Sequence, residues 1–314
     1  MNESTGMGNR KLSIIIAYFL IYVVWGSTYY FIGVALQGLP PFLLGAFRFT
    51  TAGLFLLFWC WYRGESVFKK SLINKSAISG IVLLFIDMAV VMLAQKYVSS
   101  SLVAIIASST AIWIMVFDAP MWKKNFCSPA VIFGIILGFF GVMMLYIEQF
   151  NYDNSLGEHR EYGILLLVVG CISWALGTLY AKYRSSGEEE VNAFGGSAWQ
   201  MLFASAAFWI CAMINGDIVN TDLNDVPTVS WFSLIYLIIF GSIMAYSAYV
   251  WLLKVRPATE VATHAYVNPL VAVFLGMSLG KEEVTWIQIT GLIVILMSVA
   301  LINKKNKNKH VEDK

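Results

Sequence analysis

Ten apolar runs of about 20 residues each divide this chain, the length a helix needs to cross a hydrocarbon core roughly 30 Å thick. The runs are expected near 12–33, 42–62, 76–95, 101–121, 130–147, 162–181, 194–214, 230–253, 258–279 and 286–303, to within a few residues. A chain that is 59% hydrophobic and 13% charged spends most of its 314 residues on them and keeps only short connectors. No soluble catalytic domain fits in the remainder. Strands of a membrane barrel would show segments of about ten residues alternating apolar and polar. These runs are continuous and twice as long, so the expected fold is an all-α integral membrane protein of ten transmembrane helices. Prolines at Pro40-Pro41, Pro129, Pro227 and Pro257 stand just before spans, where a missing N–H is least costly.

The charges orient the bundle. With the N-terminus inside, 17 of the 21 Lys and Arg fall in cytoplasmic segments, and only Lys96, Arg160 and Lys281 fall outside. Arg48 lies within a span. The outer segments 148–161 and 215–229 carry acids instead, among them Glu148, Asp153, Asp217 and Asp222. Both termini are therefore expected in the cytoplasm, and the expected location is the cell (plasma or inner) membrane. The first span is too long for the core of a signal peptide and shows no small-x-small cleavage site, so it is expected to be retained. Cys60, Cys127, Cys171 and Cys211 are scattered without a Cys-x-x-Cys pair, which argues against a disulfide framework or a metal cluster.

An internal repeat runs beneath the spans. Residues 101–125 lie over 259–283 at an offset of 158, bringing Val103 onto Val261, Ala104 onto Ala262 and Lys123 onto Lys281. Trp25-Gly26-Ser27-Thr28 echoes the stretch from Trp174 to Thr178. A unit of five spans is odd, so the second copy must insert upside down. Inverted repeats with a site near the midplane are a recurring architecture of secondary transporters. The expected organisation is a first half over 1–147 (helices 1–5), an outer linker over 148–161, a second half over 162–303 (helices 6–10) and a basic cytoplasmic tail over 304–314.

Particular residues then carry a resemblance. Trp25-Gly26-Ser27-Thr28-Tyr29, Gly38-Leu39-Pro40-Pro41-Phe42 and Arg48-Phe49 resemble the opening of an EamA-type permease of the drug/metabolite transporter (DMT) superfamily. Gly241-Ser242-Ile243, Ala248-Tyr249, Pro257-Ala258 and the run from Ala265 to Val273 resemble its second half, closing with Gly280 and Glu282 or Glu283. The resemblance spans both repeats. It implies ten helices in two inverted five-helix halves, and movement of small metabolites, often amino acids or drugs and usually outward. The chain departs from the pattern in its first half: Ala111 stands where the ninth span has Pro269, and Met121-Trp122-Lys123-Lys124-Asn125 replaces the closing Gly-Glu pair.

Polar residues inside the spans are the candidates for chemistry, because a charge in the bilayer core is costly and marks a pathway or a partner. Asp87 lies midway along the third span, as a proton-coupling group, an anchor for a cationic substrate, or a neutral acid held for packing. Arg48, a turn or two into the second span, could fork onto a substrate carboxylate, pair with a structural acid, or snorkel to the interface. Asp118 stands close to Lys123 and Lys124 and reads as an interfacial acid. Glu260 and His264, four apart on one helix face, read as a proton relay or as packing residues. Trp25, Trp113, Trp174 and Tyr266 lie deep enough to line a cavity, whereas Trp59, Trp61, Trp122, Trp231 and Trp286 fall at span ends and read as an interfacial belt. Asn268-Pro269 breaks the ninth helix and frees carbonyls in mid-span, a ledge for substrate. Gly134-x3-Gly138 with Gly141 reads as close helix packing.

The candidate substrate-binding set is therefore Trp25, Thr28, Arg48, Asp87, Trp113, Trp174, Tyr266 and Asn268, with Asp87 and His264 as coupling candidates. The expected partners are a small-molecule substrate, protons and membrane lipids, with no nucleic acid, metal or cofactor, in a monomer or homodimer. With no Walker loop and no nucleotide domain, the expected function is secondary transport by alternating access. The cargo would be an amino acid, an amine or a drug-like compound, moved as by an exporter. The alternatives are an importer or facilitator of a cationic or aromatic metabolite and, more distantly, an intramembrane enzyme.

Overall fold

The computed structural model describes residues 3–95, 97, 103, 106–152, 160–185, 193–280 and 286–312. Lys96, residues 153–159 of the 148–161 linker, Lys281, and Glu282 and Glu283 lie outside the described residues. The fold is helical throughout. Helix α1 runs from Glu3 to Phe19, continues through a π-helical turn at Leu20–Val24 and resumes at Trp25–Ala35. It is followed by α2 (Pro41–Tyr62), α3 (Lys70–Ala94), α4 (Ile106–Phe117), α5 (Pro129–Tyr152) and α6 (Arg160–Ser185). The chain continues with α7 (Ala193–Ile214), α8 (Thr228–Val255), a turn at Ala258–Val261 leading into α9 (His264–Gly280), and α10 (Trp286–Glu312).

Among the described residues, six helices are long and apolar enough to cross a membrane: the 11–35 part of α1, then α2, α3, α6, α7 and α8. Shorter apolar stretches at Ile106–Phe117, Pro129–Met144 and Ile289–Ile302 mark α4, α5 and α10. The sequence expectation of ten full-length runs is therefore met at full length by six. α2 and α5 begin on Pro41 and Pro129, and α8 and the turn before α9 follow Pro227 and Pro257. Gly64, at φ +74°, ends α2 in the left-handed conformation that glycine adopts most readily.

Large apolar side chains cover the outside as well as the core. Phe58 of α2, Phe232 of α8 and Phe133 of α5 are 61%, 68% and 60% exposed. Water would penalise that surface and lipid does not, so the molecule is a multi-pass membrane protein. Since lipid is as apolar as leucine, close contact must hold the helices together. α2 and α7 meet where Gly45 faces Phe208 and Gly53 faces Leu202. α5 and α10 meet along Gly134, Gly138 and Gly141, which face Ile302, Ser298 and Ile295. The Ser298 hydroxyl donates to the Gly134 carbonyl at 2.7 Å across the same seam.

Among the described residues three helices contain π-helical turns: Leu20–Val24 in α1, Gly80–Ile86 in α3 and Leu237–Tyr246 in α8. The turn in α3, shifted by the 158 residues of the sequence repeat, falls on 238–244, inside the turn of α8. Such turns widen a helix locally and occur often beside functional sites.

Candidate functional site

The π turns of α3 and α8 line one cavity in the middle of the bundle through Leu84 and through Gly241, Ser242 and Tyr246, and Trp25 enters it directly after the α1 turn. The cavity has about 870 Å3 of empty space including its open mouth. α1 contributes Trp25 and Thr28, α2 Arg48, α3 Asp87, α4 Thr110, α6 Trp174, α8 Ser242 and Tyr246, and α9 His264 and Asn268. On α1 the lining runs from Trp25 to Ile32, and on α6 from Leu167 to Trp174. The cavity thus extends from mid-bundle toward the end that carries the 36–40 and 215–227 connections.

The two charges in this cavity do not pair. Arg48 is 7% exposed, and its Nε donates to the Ser242 hydroxyl at 2.8 Å. The guanidinium also lies over the Phe49 ring, 5.0 Å from its centroid. Gly241 makes room for it, since a Cβ there would stand 3.0 Å from Nη2. Arg48 therefore does not snorkel to the interface. No carboxylate among the described residues pairs with it. Asp87 follows directly on the π turn of α3 and is 8% exposed. Gly170 of α6 allows its approach, because a Cβ there would stand 3.3 Å from Oδ1. Among the described residues the Asp87 carboxylate has neither a hydrogen bond nor an ion pair. Buried groups of this kind are normally satisfied, which makes Arg48 and Asp87 the exceptions among the cavity's polar side chains.

An aromatic floor closes the cavity toward the opposite end. Trp25 donates through Nε1 to the Gly241 carbonyl at 3.0 Å and meets Trp174 edge-on, with ring centroids 5.5 Å apart. Trp174 donates to the Tyr249 hydroxyl at 3.1 Å, and Tyr249 shares a hydrogen bond with Thr178 at 2.5 Å. His264 packs against Trp25, Trp174 and Tyr249, and its Nδ1 lies 2.9 Å from the Val261 carbonyl, which assigns that nitrogen the proton. The Thr28 hydroxyl donates to the carbonyl of Trp25 at 2.6 Å, leaving only its acceptor side for a ligand.

Below the floor, polar contacts seal the bundle. Tyr18 donates to Glu260 at 2.8 Å, and Tyr22 and Thr263 share a hydrogen bond at 2.6 Å, joining α1 to the start of α9. Lys182 of α6 donates to the carbonyls of Leu253 and Arg256 at 2.9 and 2.7 Å. Tyr183 donates to Asp118.

Several sequence expectations change here. Trp113 and Tyr266 do not line the cavity. Trp113 stacks on Phe117 of its own helix, and Tyr266 points at α5, donating to the Ile135 carbonyl at 3.1 Å. Glu260 and His264 do not act on each other: Glu260 turns to Tyr18 and to Arg256, 3.7 Å away, while His264 faces the aromatic floor. Asp118 is 1% exposed and bonded to α6, so it is a buried acid rather than an interfacial one. Ser242, which holds Arg48, escaped notice as a functional residue and was legible only as part of Gly241-Ser242-Ile243.

Comparison with known proteins adds a family to this geometry. The model of the EamA-like transporter family matches residues 12–147 and again 161–304. A protein of Escherichia coli (strain K12), named an uncharacterized inner membrane transporter, YedA, is 33% identical over 288 residues, covering 91% of this chain and 89% of that one. An uncharacterized transporter of Archaeoglobus fulgidus is 26% identical, covering 91% and 96%. A WAT1-related chloroplastic protein of Arabidopsis thaliana is 24% identical, covering 91% and 70%. One crystal structure shares the fold at TM-score 0.74 with 19% identity, covering 93% of this chain and 97% of its own.

Proposed function

Because this chain belongs to the EamA-like transporter family, it is a membrane transporter and not an enzyme, and we propose that its cargo is a small zwitterion with an apolar or aromatic body. One observation carries the proposal: Arg48 and Asp87, one basic and one acidic, line the same cavity, and neither pairs with a charged group among the described residues. A carboxylate of the cargo matches the guanidinium fork, and an ammonium matches the Asp87 carboxylate. The rings of Trp25, Trp174 and Tyr246 receive the body and add cation–π attraction to the ammonium.

The protein works by alternating access, with the cavity facing one end of the bundle and the polar seal closing the other. The positive-inside pattern puts the sealed end and both termini in the cytoplasm, in a plasma or inner membrane. Outward movement is the direction that the sequence resemblance implies. The two matches to the family model, and π turns of α3 and α8 in equivalent register, support two inverted halves over 1–147 and 162–303.

Counterflow of labelled L-phenylalanine in proteoliposomes tests the cargo class, comparing wild type with Arg48→Gln and Asp87→Asn. A hydrogen bond to a charged group contributes roughly 1.5–3 kcal/mol, so each variant should lose at least about tenfold in rate at low cargo concentration. Undiminished counterflow in both variants would refute the zwitterion reading. Loss in Asp87→Asn alone, tied to an imposed pH gradient, would make Asp87 a proton carrier instead.

A further inference from the structure

In each of the π turns described above, a main-chain carbonyl accepts a hydrogen bond from a side chain of another helix. Ser173 of α6 donates to the Val82 carbonyl in the α3 turn at 2.5 Å. Trp25 of α1 donates to the Gly241 carbonyl in the α8 turn at 3.0 Å. With its amide oriented so that nitrogen faces acceptors, Asn268 of α9 reaches the carbonyls of Ile21 and Tyr22 in the α1 turn at 2.9 and 3.0 Å.

The third contact differs from the other two. Asn268 also reaches the His264 carbonyl of its own helix at 3.1 Å, and Pro269 next to it offers no N–H to the carbonyl one turn back. One side chain therefore bridges the break in α9 to the widened turn of α1. Immediately below it lie the two contacts of the seal that join these same segments, Tyr22 with Thr263 and Tyr18 with Glu260. Gly26 brings the helices close enough, since a Cβ there would collide with Val271 and the Asn268 carbonyl at 2.6 and 2.9 Å.

We infer that Asn268 is a positioning residue rather than a cargo ligand: it staples the α1 π turn to the α9 break and so holds the sealed end shut. The Asn268 amide has two hydrogens shared among three carbonyls, and none is left to bind cargo. When the bridge releases, the 11–19 segment of α1 can swing about its π turn away from the 258–263 turn. Hinges of this kind are a few residues at element breaks that absorb backbone change. The inference rests on transport through this cavity, not on the identity of the cargo.

The test needs no cargo, so its failure is distinguishable from failure of the zwitterion reading. In a background lacking the four native cysteines, Val261→Cys places a thiol at a fully buried position beside the seal. The rate of its reaction with a water-soluble maleimide reports opening of that end. Asn268→Ala should raise the rate at least tenfold, and Asn268→Ser, which keeps a shorter donor, should raise it less. Ser298→Ala supplies the control, because it removes a comparable hydroxyl-to-carbonyl bond between α5 and α10, away from the cavity. It should leave the rate within twofold. Equal acceleration by Ser298→Ala, no acceleration by either Asn268 variant, or loss of folding in both would overturn the staple.

Discussion

Two groups of buried or half-buried charged residues lie within one bundle, and they are treated differently. At the sealed end Lys182 is held by two carbonyls, Asp118 by Tyr183, and Glu260 by Tyr18 and Arg256. In the cavity Arg48 donates to a serine hydroxyl and lies over the Phe49 ring but meets no carboxylate, and Asp87 finds no hydrogen-bond or ion-pair partner among the described residues. Removing a charge from water is costly wherever it ends up, and partners at the sealed end offset that cost by joining helices. In the cavity neither charge-bearing side chain has an opposite charge to offset that cost among the described residues. The difference separates side chains that join helices from the two that, on the proposed function, are kept for the cargo.

The comparison breaks most sharply if the cavity charges prove structural. Replacing both at once, as Arg48→Met with Asp87→Leu, should abolish cargo counterflow. It should also stabilise the protein, by about 1–4 kcal/mol on the precedent of buried charges exchanged for apolar groups. Thermal unfolding in detergent reads the second effect, and a fall in the unfolding temperature would place these charges with the structural set. The converse change is smaller. Lys182→Ala leaves the Leu253 and Arg256 carbonyls unmet and should destabilise by roughly 1–3 kcal/mol. The same unfolding measurement checks it, and an unchanged midpoint would mean that the sealed end is not held by its polar contacts.

Much of this was legible in the sequence, for identifiable reasons. Hydropathy over 20 residues is set by the bilayer, so α1, α2, α3, α6, α7 and α8 read directly. Arg48 and Asp87 stood out because a charge-bearing side chain in an apolar run is costly and calls for a partner or a pathway. Direction around a helix axis was harder. Trp113 and Tyr266 lie in segments apolar on every face, where no stripe says which side meets the cavity, and both turned elsewhere. The pairing of Glu260 with His264 rested on their i, i+4 spacing, but α1 supplied Tyr18 as a better partner for the acid. The π turns had no sequence signal, because one inserted residue in a uniformly apolar helix leaves its composition unchanged. They in turn are what the inferred hinge role of Asn268 rests on.

The most direct test of the central claim is equilibrium binding of three matched probes to the purified wild-type protein: L-phenylalanine, phenethylamine and 3-phenylpropionate. They share a ring and differ in which charges they carry. If Arg48 and Asp87 are each reserved for one end of a zwitterion, L-phenylalanine binds at least about tenfold tighter than either singly charged probe. Equal binding of phenethylamine and L-phenylalanine would contradict the account, because it would leave Arg48 with no part in recognition.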